Sequence, residues 1–344
     1  MSRGRPSTEW PATLVLAISS CMVVAALFWP TLATLVEAWS ESRTYAHGFL
    51  VVPGTLYLLW GYRGGIVRPS PGAWGWLAAT GPGGAWVAGS LLDSLTVQQI
   101  SVLSMFPCLV YAIWGKTAFR QLLLPLGFLL FALPIGAALE PWLQDITVML
   151  LGIGLRAAGI PFQQSGVFIT MSSGTWEVAP DCGGLRYLLP GLALGYLYAA
   201  VLYRRAVVRI RFLAMCAVAL ILANALRAYG IMVTDHLGIA DGTDHRVFSY
   251  TIYAITVFLL AWLGRRWISD VPESAVPDAN RSRPPFNWTA MANTAGALAL
   301  LALASLGAGP VTAGSPPVGA PTGENILADG KETAVDLHVH APRQ

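Results

Sequence analysis

The chain has 344 residues, of which 55% are hydrophobic and only 11% charged, with a formal net charge of +3. A soluble domain carries roughly 25% charged residues, so this composition excludes an ordinary soluble enzyme and points to a polytopic membrane protein. Four scattered cysteines, Cys21, Cys108, Cys182 and Cys216, argue against a disulfide framework or a zinc site. The sequence shows no phosphate-binding glycine loop, solenoid repeat or nucleic-acid signature.

Apolar windows of spanning length, about 17 to 25 residues, lie near 11–36, 47–62, 73–92, 98–115, 119–138, 184–202, 212–233, 247–264 and 289–308. The first contains Trp29 and Pro30, lacks a small-residue cleavage site and reads as a retained helix, not a signal peptide. The segment from Pro141 to Gly159 is expected not to cross. Its Leu143, Ile146, Met149, Leu150 and Ile153 recur at helical spacing, with Gln144, Asp145 and Arg156 elsewhere on the surface, which suits an interfacial or re-entrant amphipathic helix. Residues 160–181 read as extended: Val167–Met171, a turn at Ser172–Gly174, then Thr175–Val178. The expected fold class is therefore an all-α polytopic membrane protein with eight core spans and a ninth near the C-terminus. A short extracytoplasmic β-hairpin and an interfacial helix precede Cys182. The expected domains are a catalytic transmembrane domain over 1–267, a Pro- and Ser-rich cytoplasmic linker over 268–288, the extra span over 289–308 and a disordered extracytoplasmic tail over 309–344.

Charge sets the orientation. With the N-terminus inside, the cytoplasmic segments hold Arg3, Arg5, Arg63, Arg68, Lys116, Arg120, Arg204, Arg205, Arg209, Arg211, Arg265, Arg266, Arg281 and Arg283, as short cytoplasmic loops should. Most acids fall on the other side, and so do Cys182, Arg227 and His245.

Three of the cysteines lie inside apolar runs, where cysteine behaves as a small core hydrophobe. Cys182 alone has polar neighbours, in Val178-Ala-Pro-Asp-Cys-Gly-Gly-Leu-Arg-Tyr-Leu-Leu189, where a polar loop meets an apolar run. A thiol nucleophile needs its thiolate, of which an unperturbed thiol with pKa of about 8.5 supplies little at neutral pH. A helix N-terminus after Cys182, His245 as proton acceptor, and Arg186 or Arg227 as nearby cation would each help. Arg227, in Ala223-Asn-Ala-Leu-Arg-Ala-Tyr-Gly230, is a charge within a span and so reads as functional. It is the candidate for stabilising an oxyanion. Asn224, one helical turn before it, can orient the guanidinium or a substrate carbonyl. His47, in Ala46-His-Gly-Phe-Leu-Val-Val-Pro53, is either a substrate-site group or an interfacial anchor. Arg186 and Tyr187 read by default as interfacial, and His236 matches His245 on chemistry alone.

The Cys182 block, the Asn224–Arg227 block, Asp244-His245 and the His47 block together resemble the exosortase/archaeosortase family of membrane transpeptidases, most closely its bacterial exosortase A branch, over roughly residues 10 to 267. The resemblance implies a cysteine peptidase or transpeptidase with a Cys–Arg–His triad carried by Cys182, Arg227 and His245. It implies no cofactor and no metal. It implies as partners secreted proteins with a C-terminal sorting signal: a Pro-Glu-Pro-type motif, a transmembrane helix and a basic tail. It also implies the bacterial cytoplasmic (inner) membrane, with the active site facing the periplasm or exterior. Membrane lipid is the other expected partner, nucleic acid is not expected, and the acceptor molecule is not specified. The chain has Asp-Cys-Gly-Gly where relatives usually carry Ala-Cys-Ser-Gly, and Arg-Val-Phe-Ser-Tyr after His245 also differs. An alternative reading is a membrane glycosyltransferase, ligase or scaffold of exopolysaccharide assembly, which would need no thiol.

Overall fold

A computed structural model describes residues 9–62, 71–72, 74–238, 245–267 and 339–340. The expected linker over 268–288, the ninth span over 289–308 and nearly all of the tail over 309–344 lie outside the described residues. Among those described, four helices are long and apolar enough to cross a membrane, or five if a bent N-terminal pair counts as one span. The chain divides into two compact units, one holding 1–42 and 48–134, the other 43–47 and 135–269.

In the first unit, α1 (Glu9–Leu27) and α2 (Trp29–Glu41) meet at 83°. Pro30, in the first turn of α2, explains the break, because its ring carries no N–H and clashes with the carbonyl four residues back. There follow α3 (Gly48–Tyr62), α4 (Thr80–Leu91) and α5 (Leu95–Phe128). The break expected between the spans over 98–115 and 119–138 falls within α5 at Gly115, where two helical stretches meet at a φ of 80° and ψ of −179° that are not helical. Only glycine adopts that conformation readily. Phe28, wholly buried, meets Trp86 edge-on with ring centroids 4.9 Å apart. Polar contacts tie the helices: Trp86 Nε1 donates to Thr31 Oγ1 (3.1 Å), Gln99 Nε2 to Thr34 Oγ1 (2.9 Å) and Trp39 Nε1 to the Ala132 carbonyl (2.8 Å).

The second unit contains α6 (Glu140–Ala157), three strands β1 (Gln163–Ser165), β2 (Phe168–Met171) and β3 (Gly174–Glu177), then α7 (Leu185–Leu202), α8 (Ala206–His236) and α9 (His245–Gly264). The strands pair antiparallel, with Ile169 opposite Trp176 and Gln164 opposite Ile169. Of the tail, Val339–His340 forms β4, which lies antiparallel beside β3, with Val339 opposite Trp176.

The buried faces of sheet and helices coincide. Ile169, Met171 and Trp176 pack with Val148, Leu151 and Leu155 of α6 and with Ala228, Ile231 and Met232 of α8. The packed stripe of α6 is thus Leu143, Thr147, Val148, Leu151 and Leu155, whereas Met149 and Ile153, expected on the apolar face, are exposed beside Trp142, Asp145 and Arg156. At the far ends of α7 and α8, the Tyr198 and Tyr203 hydroxyls donate to the Ala261 and Gly264 carbonyls (2.8 and 2.7 Å). These last-turn carbonyls of α9 have no donor within their own helix.

Phe28→Ala should cost about 3–5 kcal/mol of stability, read as a lowered unfolding midpoint in detergent, because the ring is fully enclosed and the space it leaves is walled by Trp86 and Met105.

Candidate functional site

The hairpin delivers the chain to Cys182. Val178 N–H donates to the Val167 carbonyl (3.0 Å), continuing the ladder past β3, and Gln144 Nε2 of α6 donates to the Val178 carbonyl. A 3₁₀ turn over Pro180–Gly183 then reverses the chain, closed by Cys182 N–H on the Ala179 carbonyl (2.8 Å). Gly184 follows at φ 94°, ψ 5°, in the left-handed region, and its carbonyl accepts the Tyr187 and Leu188 N–H groups of α7 (both 3.0 Å). The sequence places a thiol at an aqueous boundary. Cys182 is 1% exposed and belongs to one buried cluster with residues of α6, the strands and α8, among them Val148, Leu151, Val178 and Ile231.

Two residues of α8, one turn apart, flank this turn. Asn224 is 3% exposed; its Nδ2 donates to the Cys182 carbonyl (2.8 Å) and to Thr147 Oγ1 of α6 (3.2 Å). Arg227 is 4% exposed; its Nε donates to Ser249 Oγ of α9 (2.6 Å), and its guanidinium carbon lies 5.5 Å from the Tyr187 ring centroid. Arg186 approaches the same ring at 5.7 Å, and Tyr187 packs on Tyr253 with centroids 5.6 Å apart. Tyr187, Ala223, Asn224, Arg227, Ser249 and Tyr253 line one cleft. The cleft therefore holds a cation one helical turn from Asn224, the residue that binds the Cys182 carbonyl.

Asn224 is thus bonded to the Cys182 backbone, while Arg227 and Arg186 share the Tyr187 ring. Asn224 holds the Cys182 backbone and not the guanidinium. His245 is the first residue of α9, and its side chain lies outside the described residues, as does that of Asp181. His47 sits in the turn over 43–47, its Nδ1 proton donated to the Thr44 carbonyl (3.1 Å). Tyr45 of that turn is set against the Gly136 and Ala137 backbone near the start of α6; burial, then the Glu140 carboxylate, push its phenol above the ordinary value. His236 ends α8 and pairs with Ser173 Oγ at the hairpin turn (2.9 Å). Ser249, Gln144 and Thr147 escaped the sequence reading. Ser249 had a signal, being one turn along α9 from His245 and so on its face. Gln144 and Thr147 share the face of α6 that meets the Cys182 turn. Among the described residues no group of three His, Cys, Asp or Glu side chains is placed to hold a metal ion.

At Gly184 a Cβ would stand 2.6 Å from Asn224 Cγ. Gly184→Ala should therefore cost about 1–3 kcal/mol through the left-handed backbone alone, with a further loss from displacing Asn224. Thermal unfolding of the purified variant in detergent, compared with that of the unmodified protein, checks this.

No curated protein and no solved structure matches the chain. One family model does: Transmembrane exosortase (Exosortase_EpsH) matches residues 39–262, a stretch that contains every residue of the cleft together with His47 and His245. With its apolar helices and this match over more than half its length, the chain is a multi-pass membrane protein that belongs to the transmembrane exosortase family.

Proposed function

We propose that the protein is a cysteine peptidase or transpeptidase that removes the C-terminal sorting signal of secreted proteins at the outer face of the bacterial cytoplasmic membrane. The observation that carries this reading is the hydrogen bond from Asn224 to the Cys182 carbonyl, made one helical turn from a buried arginine in the same cleft. Family membership and the outward placement of these residues by the distribution of Lys and Arg support it. The eight-span plan, with a ninth span after the 268–288 linker, belongs to the same proposal.

In this scheme His245 takes the Cys182 proton, and the thiolate adds to the carbonyl carbon of the scissile peptide. Arg227 faces the oxygen that becomes negative in the tetrahedral intermediate, held at its other edge by Ser249. The C–N bond then breaks as the leaving amine takes the proton from His245, which frees the signal helix and leaves a thioester on Cys182. An amine or hydroxyl acceptor, or water, attacks the thioester, its proton returning through His245 to the departing thiolate. Arg186, His47 and Asn224 border the path of the substrate. Enclosure of Cys182 by apolar side chains raises the worth of each charge near it, since Coulomb interactions are strongest away from water.

Cys182→Ala and Arg227→Ala should each abolish processing of a co-expressed protein carrying such a signal, with membrane insertion unchanged. Immunoblotting for the shortened product checks this, and processing retained in either variant would sink the scheme. Ser249→Ala, by removing a partner of a buried cation, should reduce kcat about tenfold or more with little change in KM. Ser249→Thr, which retains a hydroxyl, should recover most of the rate.

A further inference from the structure

We propose that Asn224 Oδ1 accepts a hydrogen bond from the backbone N–H of the substrate residue that supplies the scissile carbonyl. This deepens the peptidase reading above and rests on it.

The amide of Asn224 has a defined orientation. Its Nδ2 sits 2.8 Å from the Cys182 carbonyl oxygen, an acceptor, so the flipped amide would set two acceptors against each other. Both Nδ2 hydrogens are then committed, one to Cys182 and one to Thr147. No donor remains on this side chain for a substrate carbonyl. What remains is Oδ1, buried and with no hydrogen-bond partner among the described residues. Native structures leave few such atoms, and a buried acceptor without a donor is destabilising. Asn224 is 3% exposed and lines the cleft, so a ligand seated there is the group able to supply the donor.

Peptide geometry says which N–H that is. In an extended chain the N–H and C=O of one residue point to the same side. Asn224 and Arg227 present their side chains from one face of α8, a turn apart. A peptide lying along that face with its scissile carbonyl toward Arg227 directs the N–H of the same residue toward Asn224. The neighbouring N–H groups, before and after, point the opposite way. Asn224 would thus join the two halves of the reaction: one edge of its amide fixes the backbone of the nucleophile, and the other fixes the register of the bond to be cut.

The test uses the full-length protein in proteoliposomes. The probe is a synthetic peptide with a Pro-Glu-Pro motif, an apolar helix of about 20 residues and a basic tail. The mass of the released fragment locates the cut. The N–H of the residue supplying the scissile carbonyl is then replaced by an ester oxygen, and in separate peptides so are the N–H one residue before it and the N–H two residues after it; the N–H immediately after belongs to the bond that is cut and is left in place. For the unmodified protein, kcat/KM should fall roughly 10- to 100-fold at the first position and little at the others. Asn224→Ala, slower with every peptide, should lose that distinction. Equal penalties at all three positions in the unmodified protein would overturn the proposal, even if Asn224→Ala does not fold. A water molecule as the partner of Oδ1 gives the same overturning result. If the all-amide peptide leaves no acyl group on Cys182 by mass spectrometry, the peptidase reading itself falls. If the acyl group forms and the penalties are equal, only the role of Asn224 falls.

Discussion

A polar group inside an apolar helix bundle has no water to turn to, so each must find another protein group, and that requirement organises both units of this chain. In the first unit it shows as pairs between neighbouring helices: Thr31 with Trp86, Thr34 with Gln99, Trp39 with the Ala132 carbonyl. In the second unit the same requirement shapes the cleft. Asn224 and Arg227 are costly residues for a spanning helix, and each is satisfied by a different neighbour: the Cys182 loop and α6 for one, α9 and Tyr187 for the other. Satisfying the two side chains therefore fixes α6, α7, α8 and α9 around one point.

The short sheet is the other half of that arrangement. A chain that enters α7 from a loop carries backbone groups that a helix cannot pair until its first turn is complete. The hairpin satisfies them up to Val178, the Gln144 side chain takes the Val178 carbonyl, the 3₁₀ turn pairs Ala179 with Cys182, and Asn224 takes the carbonyl of Cys182 itself. Partners thus follow one another from Val178 through Ala179 to Cys182, and Gly184 accepts the first N–H groups of α7. Its consequence is a nucleophile candidate whose backbone is held at both its N–H and its C=O. Gly184 completes the turn because a left-handed residue is required where Asn224 leaves no space for a Cβ.

Much of this was legible in the sequence, and the rest was hidden for physical reasons. Composition gave the membrane class, the alternating run after Val167 gave the hairpin, and the motifs around Cys182 and Arg227 gave the family. The window over 11–36 read as one helix, although Pro30 within it marks the place where α1 and α2 part. Hydropathy placed a break near Lys116, and the helix is interrupted at the adjacent Gly115. The α6 stripe was misread in part because the helix is apolar on two faces. One packs on the sheet, while the other, with Trp142, Met149 and Ile153 among Asp145 and Arg156, is exposed. Periodicity finds an apolar face but does not say whether protein or lipid covers it. The enclosure of Cys182 was out of reach for a different reason, since it depends on Ile231 and Leu151, residues far from it in sequence.

The spacing of Asn224 and Arg227 has a consequence that neither residue has alone. Had a single side chain both held the Cys182 backbone and met the substrate oxygen, any shift of one would have weakened the other. Dividing the tasks between two residues a turn apart on one helix makes their separation a property of helix geometry, about 5–6 Å between Cβ atoms, and not of any loop. Positioning of reacting groups is worth several kcal/mol of the barrier only when it is held to within a fraction of an ångström. A helix buried on the faces that carry Asn224, Arg227, Ala228 and Ile231 is a stiff enough ruler for that purpose. Under the proposed function the flexible partner is the substrate peptide, which a pair of side chains would align at a separation set when α8 folds.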